Sequence, residues 1–188
     1  VHDVASLEAF LRGRLRTAGA TAAALTAAAH TLAACAGRPW PLLDAEADAR
    51  TASPAQRDAA RTQGRLLLRV ARRVWPSPVL DELAGAVPSP HHPLALGAAA
   101  HAAGATSEEA ALAAAYHAVA GPATAAVRLL GLDPVDVHGV LAGLAPDLAT
   151  AARTPDPADW AALPAGAAPA LDLLAEAHAR AQTRMFVS

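Results

Sequence analysis

Most candidate helices of this chain carry their own start mark, a residue able to cap a helix, and repeat leucine or alanine at helical spacing. With no isoleucine and few valines at period two, β-pairing has little to build on, so these start and stop marks direct the chain into helices. Asp3 can cap a helix whose Leu7, Leu11 and Leu15 share one face. Gly19 predicts a break before a second helix through "AAALTAAAHTLAAC", which Gly37 and Pro39 end. The stretch "RPWPLLDAEADART" reads as a loop. Ser53, Pro54 and Gln56 then form a capping box with proline in its preferred first position, opening a helix to about Trp75, where Pro76 stops it.

Further on, Ser77 and Pro78 open a short helix through Leu83, "VPSPHHP" reads as a turn, and Leu94 to Ala103 forms a helix closed by Gly104. Thr106 and Glu109 make a second capping box for a long segment to Leu130, which Gly121 and Pro122 are expected to kink or divide. Asp133, Pro134 and Asp136 start a helix carrying Leu141, Leu144 and Leu148, and the Pro-rich loop "RTPDPADWAALP" follows it. The last helix begins near Pro169 and places Leu171, Leu174, His178, Ala181 and Met185 on one stripe. The expected architecture is an all-α, single-domain helical bundle of about seven to nine helices over residues 1–188, with 184–188 as a C-terminal tail. Roughly three residues in ten are alanine and aromatic residues make up 3%, so helices can approach closely while each brings little burial energy of its own.

The net charge of -2 and the isoelectric point near 6.5 argue against a dedicated nucleic-acid binder. The single Cys35 rules out an intrachain disulfide framework and a cysteine-built zinc site, which fits a cytoplasmic location. The apolar runs are short alanine segments broken by His or Thr, below the roughly 18 residues of a membrane span, and no signal peptide is evident.

Five arginines, Arg57, Arg61, Arg65, Arg69 and Arg73, recur every four residues and form a slowly turning stripe on one helix, with Leu67 and Val74 expected to turn away from it. Such a stripe serves as a solvated face, as a docking surface for an acidic protein, or as a nucleic-acid contact, the last disfavoured because no aromatic residue is interleaved for stacking. Of the eight histidines, His91 and His92 are adjacent and should point apart, and neither they nor His101 meet a carboxylate in a ligand pattern. Asp44, Glu46 and Asp48 resemble the opening of a calcium loop, but Ala49 and Ala55 stand where that loop needs its glycine and its bidentate glutamate, which leaves an acidic surface loop. Cys35 should sit in an alanine-rich helix with His30 off its face, and no nucleophile elbow, phosphate loop or dinucleotide fingerprint occurs. No metal or cofactor is expected, and the chain does not read as an enzyme.

The ending "HARAQTRMFVS" concentrates Met185 and one of only two phenylalanines, Phe186, at the place where chains usually fray. Two readings stand on physics alone: the end tucks into its own core, or it is an anchor that orders on another protein.

The same ending resembles the C-terminus of the UreF family of urease accessory proteins, which close on an Arg-Leu-Phe-Arg-Ser-like motif after a His-containing helix. "VHDVASLEAFLRGRL", "ASPAQRDAARTQGRLLLRVARRVW", "HPLALGAAAHAAG" and "YHAVAGPATAAVRLLGL" resemble further family stretches in the same order, so the likeness covers nearly the whole chain. The resemblance implies an all-helical, non-catalytic scaffold that binds UreD (also called UreH) and the GTPase UreG. It also implies a homodimer within that complex, and a role in loading nickel into the urease apoprotein. It further implies that Arg184, Met185, Phe186 and Ser188, with His178 on the preceding helix, dock on UreD, and that Arg128 and Tyr116 occupy family positions. Ala60 stands where the family has serine, Val187 replaces an arginine, and "LGLDPVDVHGVL" lacks the family's Gln-x-x-Gly-Gln-like pattern. The alternative reading is a helical nucleic-acid-binding regulator that uses the Arg57–Arg73 stripe.

Overall fold

The structure is a computed structural model that describes residues 1–153 and 157–181. Its first helix, α1 (Val4–Arg14), starts where Asp3 accepts the Ser6 backbone N–H at 2.8 Å while the Ser6 hydroxyl accepts the Asp3 N–H in return. The expected break at Gly19 is absent. A π-helical turn, Leu15–Gly19, carries α1 directly into α2 (Ala20–Ala33), and Gly19 keeps a helical φ of -65° while facing Ala118. Glycine here serves close packing rather than termination.

α2 lies between two cores. Ala24, Leu25, Ala28 and Leu32 face the first, which also holds Trp40, Leu43, Leu68, Leu80, Leu83 and Leu94. Ala23 and Ala27 face the second, with Leu7, Leu11, Val119, Val137, Leu144 and Leu148. The alanine content makes this double burial feasible, because small side chains let neighbouring backbones close in. At the crossing with α6 (His92–Ala102), a Cβ added to Gly97 would lie 2.4 Å from the Thr26 carbonyl oxygen, so only glycine fits.

The segment expected as a loop is a helix, α3 (Trp40–Ala49). Pro41 sits in its first turn, where a missing N–H costs nothing, and Trp40, Leu43 and Ala47 are all buried at helical spacing. Its acidic residues suggested solvent, yet the Asp44 carboxylate is buried against arginine. α4 (Pro54–Val74) starts at Ser53 as expected, with the Ser53 hydroxyl accepting the Gln56 N–H at 3.2 Å. α5 (Pro78–Ala86) and α6 complete the first half.

α7 (Ser107–Leu130) opens on the Thr106–Glu109 capping box and runs undivided past Gly121 and Pro122. Proline at 122 cannot donate to the carbonyl four residues earlier, that of Ala118. The Arg14 guanidinium supplies the missing donor, with Nε 2.8 Å from the Ala118 oxygen, so the helix continues without an orphaned carbonyl. By length and composition α7 alone among the described helices is long and apolar enough to cross a membrane, which the expectation of short runs overlooked. Its apolar side, with Ala111, Ala115, Val119 and Ala123, forms part of the second core.

The helix expected to carry Leu141, Leu144 and Leu148 is two helices, α8 (Pro134–Gly143) and α9 (Ala145–Ala151), separated at Leu144 where Pro146 restarts the hydrogen-bond pattern. Later in the chain, a 3₁₀ turn at Trp160–Ala162 lies against Arg50, the C-cap residue of α3. Arg50 fastens it by donating to the Trp160 oxygen at 2.7 Å and the Leu163 oxygen at 3.4 Å. The Gly166 N–H then donates to the Thr21 hydroxyl, and α10 (Pro169–Arg180) ends the described chain. The fold is thus an all-α, single-domain bundle with no strand among the described residues. Among the described residues ten α-helical segments form nine rods, because α1 and α2 are continuous.

Candidate partner-binding surfaces

The five stripe arginines of α4 do not share one environment. Arg61 turns inward and donates to Asp44 at 2.9 Å, to Asp48 at 2.6 Å and to the Ser89 carbonyl at 2.9 Å. The same two carboxylates hold the next loop. The buried His91 donates its backbone N–H to Asp44 at 3.0 Å and its ring Nε2 to Asp48 at 2.8 Å. Burial pushes the Asp48 carboxyl up, but the bonds from His91 and Arg61 outweigh it and hold Asp48 below its ordinary value. Arg57 donates to the Thr51 and Ala52 carbonyls at the entry of α4. Arg61 therefore anchors α3 and the 87–91 turn to α4, while Arg57 holds the loop between α3 and α4. Gly64 makes room for that turn, since a Cβ there would meet the Pro90 carbonyl at 2.0 Å.

Past Gly64 the stripe behaves differently. Arg65, Arg69 and Arg73 are exposed and donate to no described group, while their neighbour Arg72 pairs with Asp81 at 2.7 Å. Leu67, expected to turn away from the stripe, packs against the first core, whereas Val74, expected to do the same, is exposed beside Arg73. Leu66, Val70 and Val74 are 47%, 56% and 56% exposed and form an apolar row beside the arginines, with Trp75 at its end. Composition alone had hidden this row, because its spacing of four merges with that of the core-facing Gly64, Leu68 and Ala71.

α10 is held mainly by polar contacts. Its carboxylates reach the start of α4: Glu176 accepts the Ser53 hydroxyl at 2.6 Å and the Ala55 N–H at 2.8 Å, and Asp172 accepts from Gln56 at 3.0 Å. The Ser53 hydroxyl and then the Ala55 N–H hold the Glu176 carboxyl below its ordinary value. Gln56, expected to close a capping box on Ser53, is drawn to Asp172 instead. No residue of α10 is buried, and on its expected apolar stripe Leu171 is half-buried while Leu174 and the adjacent Leu173 are well exposed. His178 is exposed near the end of the helix and takes part in an interaction. Arg184, Met185, Phe186 and Ser188 lie outside the described residues.

Tyr116 and Arg128 are exposed on α7 and do not form one cluster. Twelve residues of helix place them about 18 Å apart along its axis. Arg128 is itself engaged in an interaction near the helix end.

The histidines pair without assembling. His91 and His92 diverge as expected, one to Asp48 and the other to His117, whose ring centre lies 5.5 Å away. Burial, and then the charge of His117, hold His92 down to about 4. His30 meets His101 edge-on at 5.3 Å and bonds the Ala105 carbonyl. Among the described residues no three His, Cys, Asp or Glu side chains converge as a metal-ligand group. Cys35 lies beyond the end of α2, exposed, rather than within that helix.

The conspicuous surface features of this all-helical bundle are the exposed rows of α4 and the exposed leucines of α10. Residues 1–145 match the UreF family model. Urease accessory protein UreF of Mycobacterium sp. strain JLS is 43% identical over 192 residues, spanning 100% of this chain and 84% of the relative. Urease accessory protein UreF of Mycolicibacterium vanbaalenii shows the same identity and coverage. That of Mycobacterium tuberculosis strain H37Rv is 39% identical over 191 residues, again across 100% of this chain and 84% of its own length. The chain belongs to the UreF family of urease accessory proteins.

Proposed function

We propose that the chain is a non-catalytic scaffold of urease maturation in the cytoplasm. It binds UreD and the GTPase UreG, supports GTP-dependent insertion of nickel into apo-urease, and works as a homodimer within that assembly. Nickel is the cargo, and no resident cofactor is required. The observation that carries this reading is the match to UreF proteins across 100% of the chain.

The arrangement of α10 supports a role for the tail. Three polar bonds seat this helix on α4 while Leu173 and Leu174 stay exposed, so the helix that precedes "RMFVS" in the sequence carries two uncovered leucines. The exposed leucines, Met185 and Phe186 together offer an anchor for UreD, with Arg184 for its carboxylates or carbonyls. Tyr116 and Arg128 on α7 serve a second contact.

The test is restoration of urease activity in a nickel-supplied host that carries urease and the other accessory genes but lacks its own UreF. Expression of this chain should restore nickel-loaded urease. Failure to do so, with UreD and UreG from the same source supplied, removes the proposal.

A further inference from the structure

We propose that the C-terminal half of α4 is a docking surface for an acidic amphipathic helix of another protein, separate from the tail. The surface has two parallel rows. Arg65, Arg69 and Arg73 form one, and Leu66, Val70 and Val74 form the other, closed by Trp75. Positions four apart on a helix advance about 6 Å along its axis, so each row repeats at the spacing of a second helix laid alongside. Three guanidinium groups without a described acceptor call for carboxylates, and three exposed aliphatic side chains call for an apolar stripe beside them.

Charge selects among occupants. Arg57 and Arg61 are spent on Thr51, Ala52, Asp44 and Asp48, so the basic character left for a partner is confined to this half. The last seven residues of the chain contain Arg184 and no aspartate or glutamate, which makes them poor cover for an arginine row. A nucleic acid would leave the aliphatic row against phosphate and finds only one aromatic platform, Trp75. An acidic protein helix satisfies both rows together.

The experiment measures fluorescence anisotropy with the full chain and a labelled synthetic helical peptide carrying glutamate at every fourth position and leucine next to each. The same peptide with lysine for glutamate and a short DNA duplex serve as comparison probes. The glutamate peptide should bind, more weakly as salt is raised, and the lysine peptide should not. The triple variant Arg65→Glu, Arg69→Glu, Arg73→Glu should weaken binding by about tenfold or more, since three exposed pairs of modest strength combine. Val70→Asp should weaken it independently, and both variants should keep wild-type helicity by circular dichroism.

Three results would overturn the proposal: no binding of the glutamate peptide, unchanged affinity in both variants, or binding of the DNA duplex alone. A chain ending at Ala181 that bound the peptide about tenfold tighter would also overturn it, by identifying the chain's own end as the occupant. Equal binding by that shortened chain is expected, and it separates this surface from the role of the tail.

Discussion

The close approach at Gly64 sets up a test in which two opposing effects can be weighed. Alanine in place of a mid-helix glycine ordinarily stabilises by about 1 kcal/mol, through helix propensity and a stiffer unfolded chain. In Gly64→Ala the new methyl would lie 2.0 Å from the Pro90 carbonyl oxygen and 2.9 Å from the His91 carbonyl carbon and His92 nitrogen, more than an ångström short of ordinary contact at the first of these. All three atoms are backbone, so no side chain can swing aside. The turn must back away from α4, which strains the bonds from His91 to Asp44 and Asp48. Overpacking of this kind costs about 3 kcal/mol at its usual upper range, leaving a net loss of about 2 kcal/mol. For a chain of this size that lowers the melting temperature by about 4–8 °C. Gly139→Ala in α8 is the control, because nothing lies within 4 Å of its added Cβ, and it should raise the melting temperature by about 2–4 °C. Thermal circular dichroism on the three proteins decides the matter. A Gly64→Ala protein that melts at or above the wild-type temperature would refute the packing argument.

Arg14→Ala should destabilise by about 2 kcal/mol by orphaning the Ala118 carbonyl, whereas in a Pro122→Ala background the restored N–H should remove most of that cost; equal losses in both backgrounds, by urea unfolding, would contradict the pairing. His92 has a folded value of about 4 against an ordinary 6.5, so the unfolded chain takes up its proton first on acidification. Stability is therefore lost as pH falls from about 6.5 towards 4, by about 2 kcal/mol between pH 7 and 5 from this group. His92→Gln should flatten that part of the pH dependence of unfolding, and an unchanged slope would show that another group carries it.

Much of the helical plan was legible because it is written in local chemistry. Asp3, Ser53 and Thr106 all cap as their side chains suggest, and Gly104 adopts the positive φ of 81° that ends α6. Pro146 split α8 from α9 by a local rule that was passed over, whereas two other misreadings arose because distant residues settled what local rules left undecided. Pro122 stays inside α7 because Arg14, over a hundred positions earlier, feeds Ala118. "WPLLDAEADA" is helical although acidic, and hydrogen bonds from Arg61 and His91 satisfy the Asp44 and Asp48 carboxylates that otherwise seek water. The arginine stripe was visible as a period of four, but its division into an anchoring half and a free half depends on which acids the fold brings to it. Of the candidate tail contacts, only the helix that leads into them, with its exposed leucines, lies within the described residues.

If the last residues act by burying in another polypeptide, their removal should abolish that contact and leave the helical body intact. Affinity-tagged chain, co-expressed with UreD, is purified with and without the residues from Arg184 onward. The full chain should retain UreD and the shortened one should lose it at unchanged helicity; equal recovery of UreD with both would show that the tail is not the anchor.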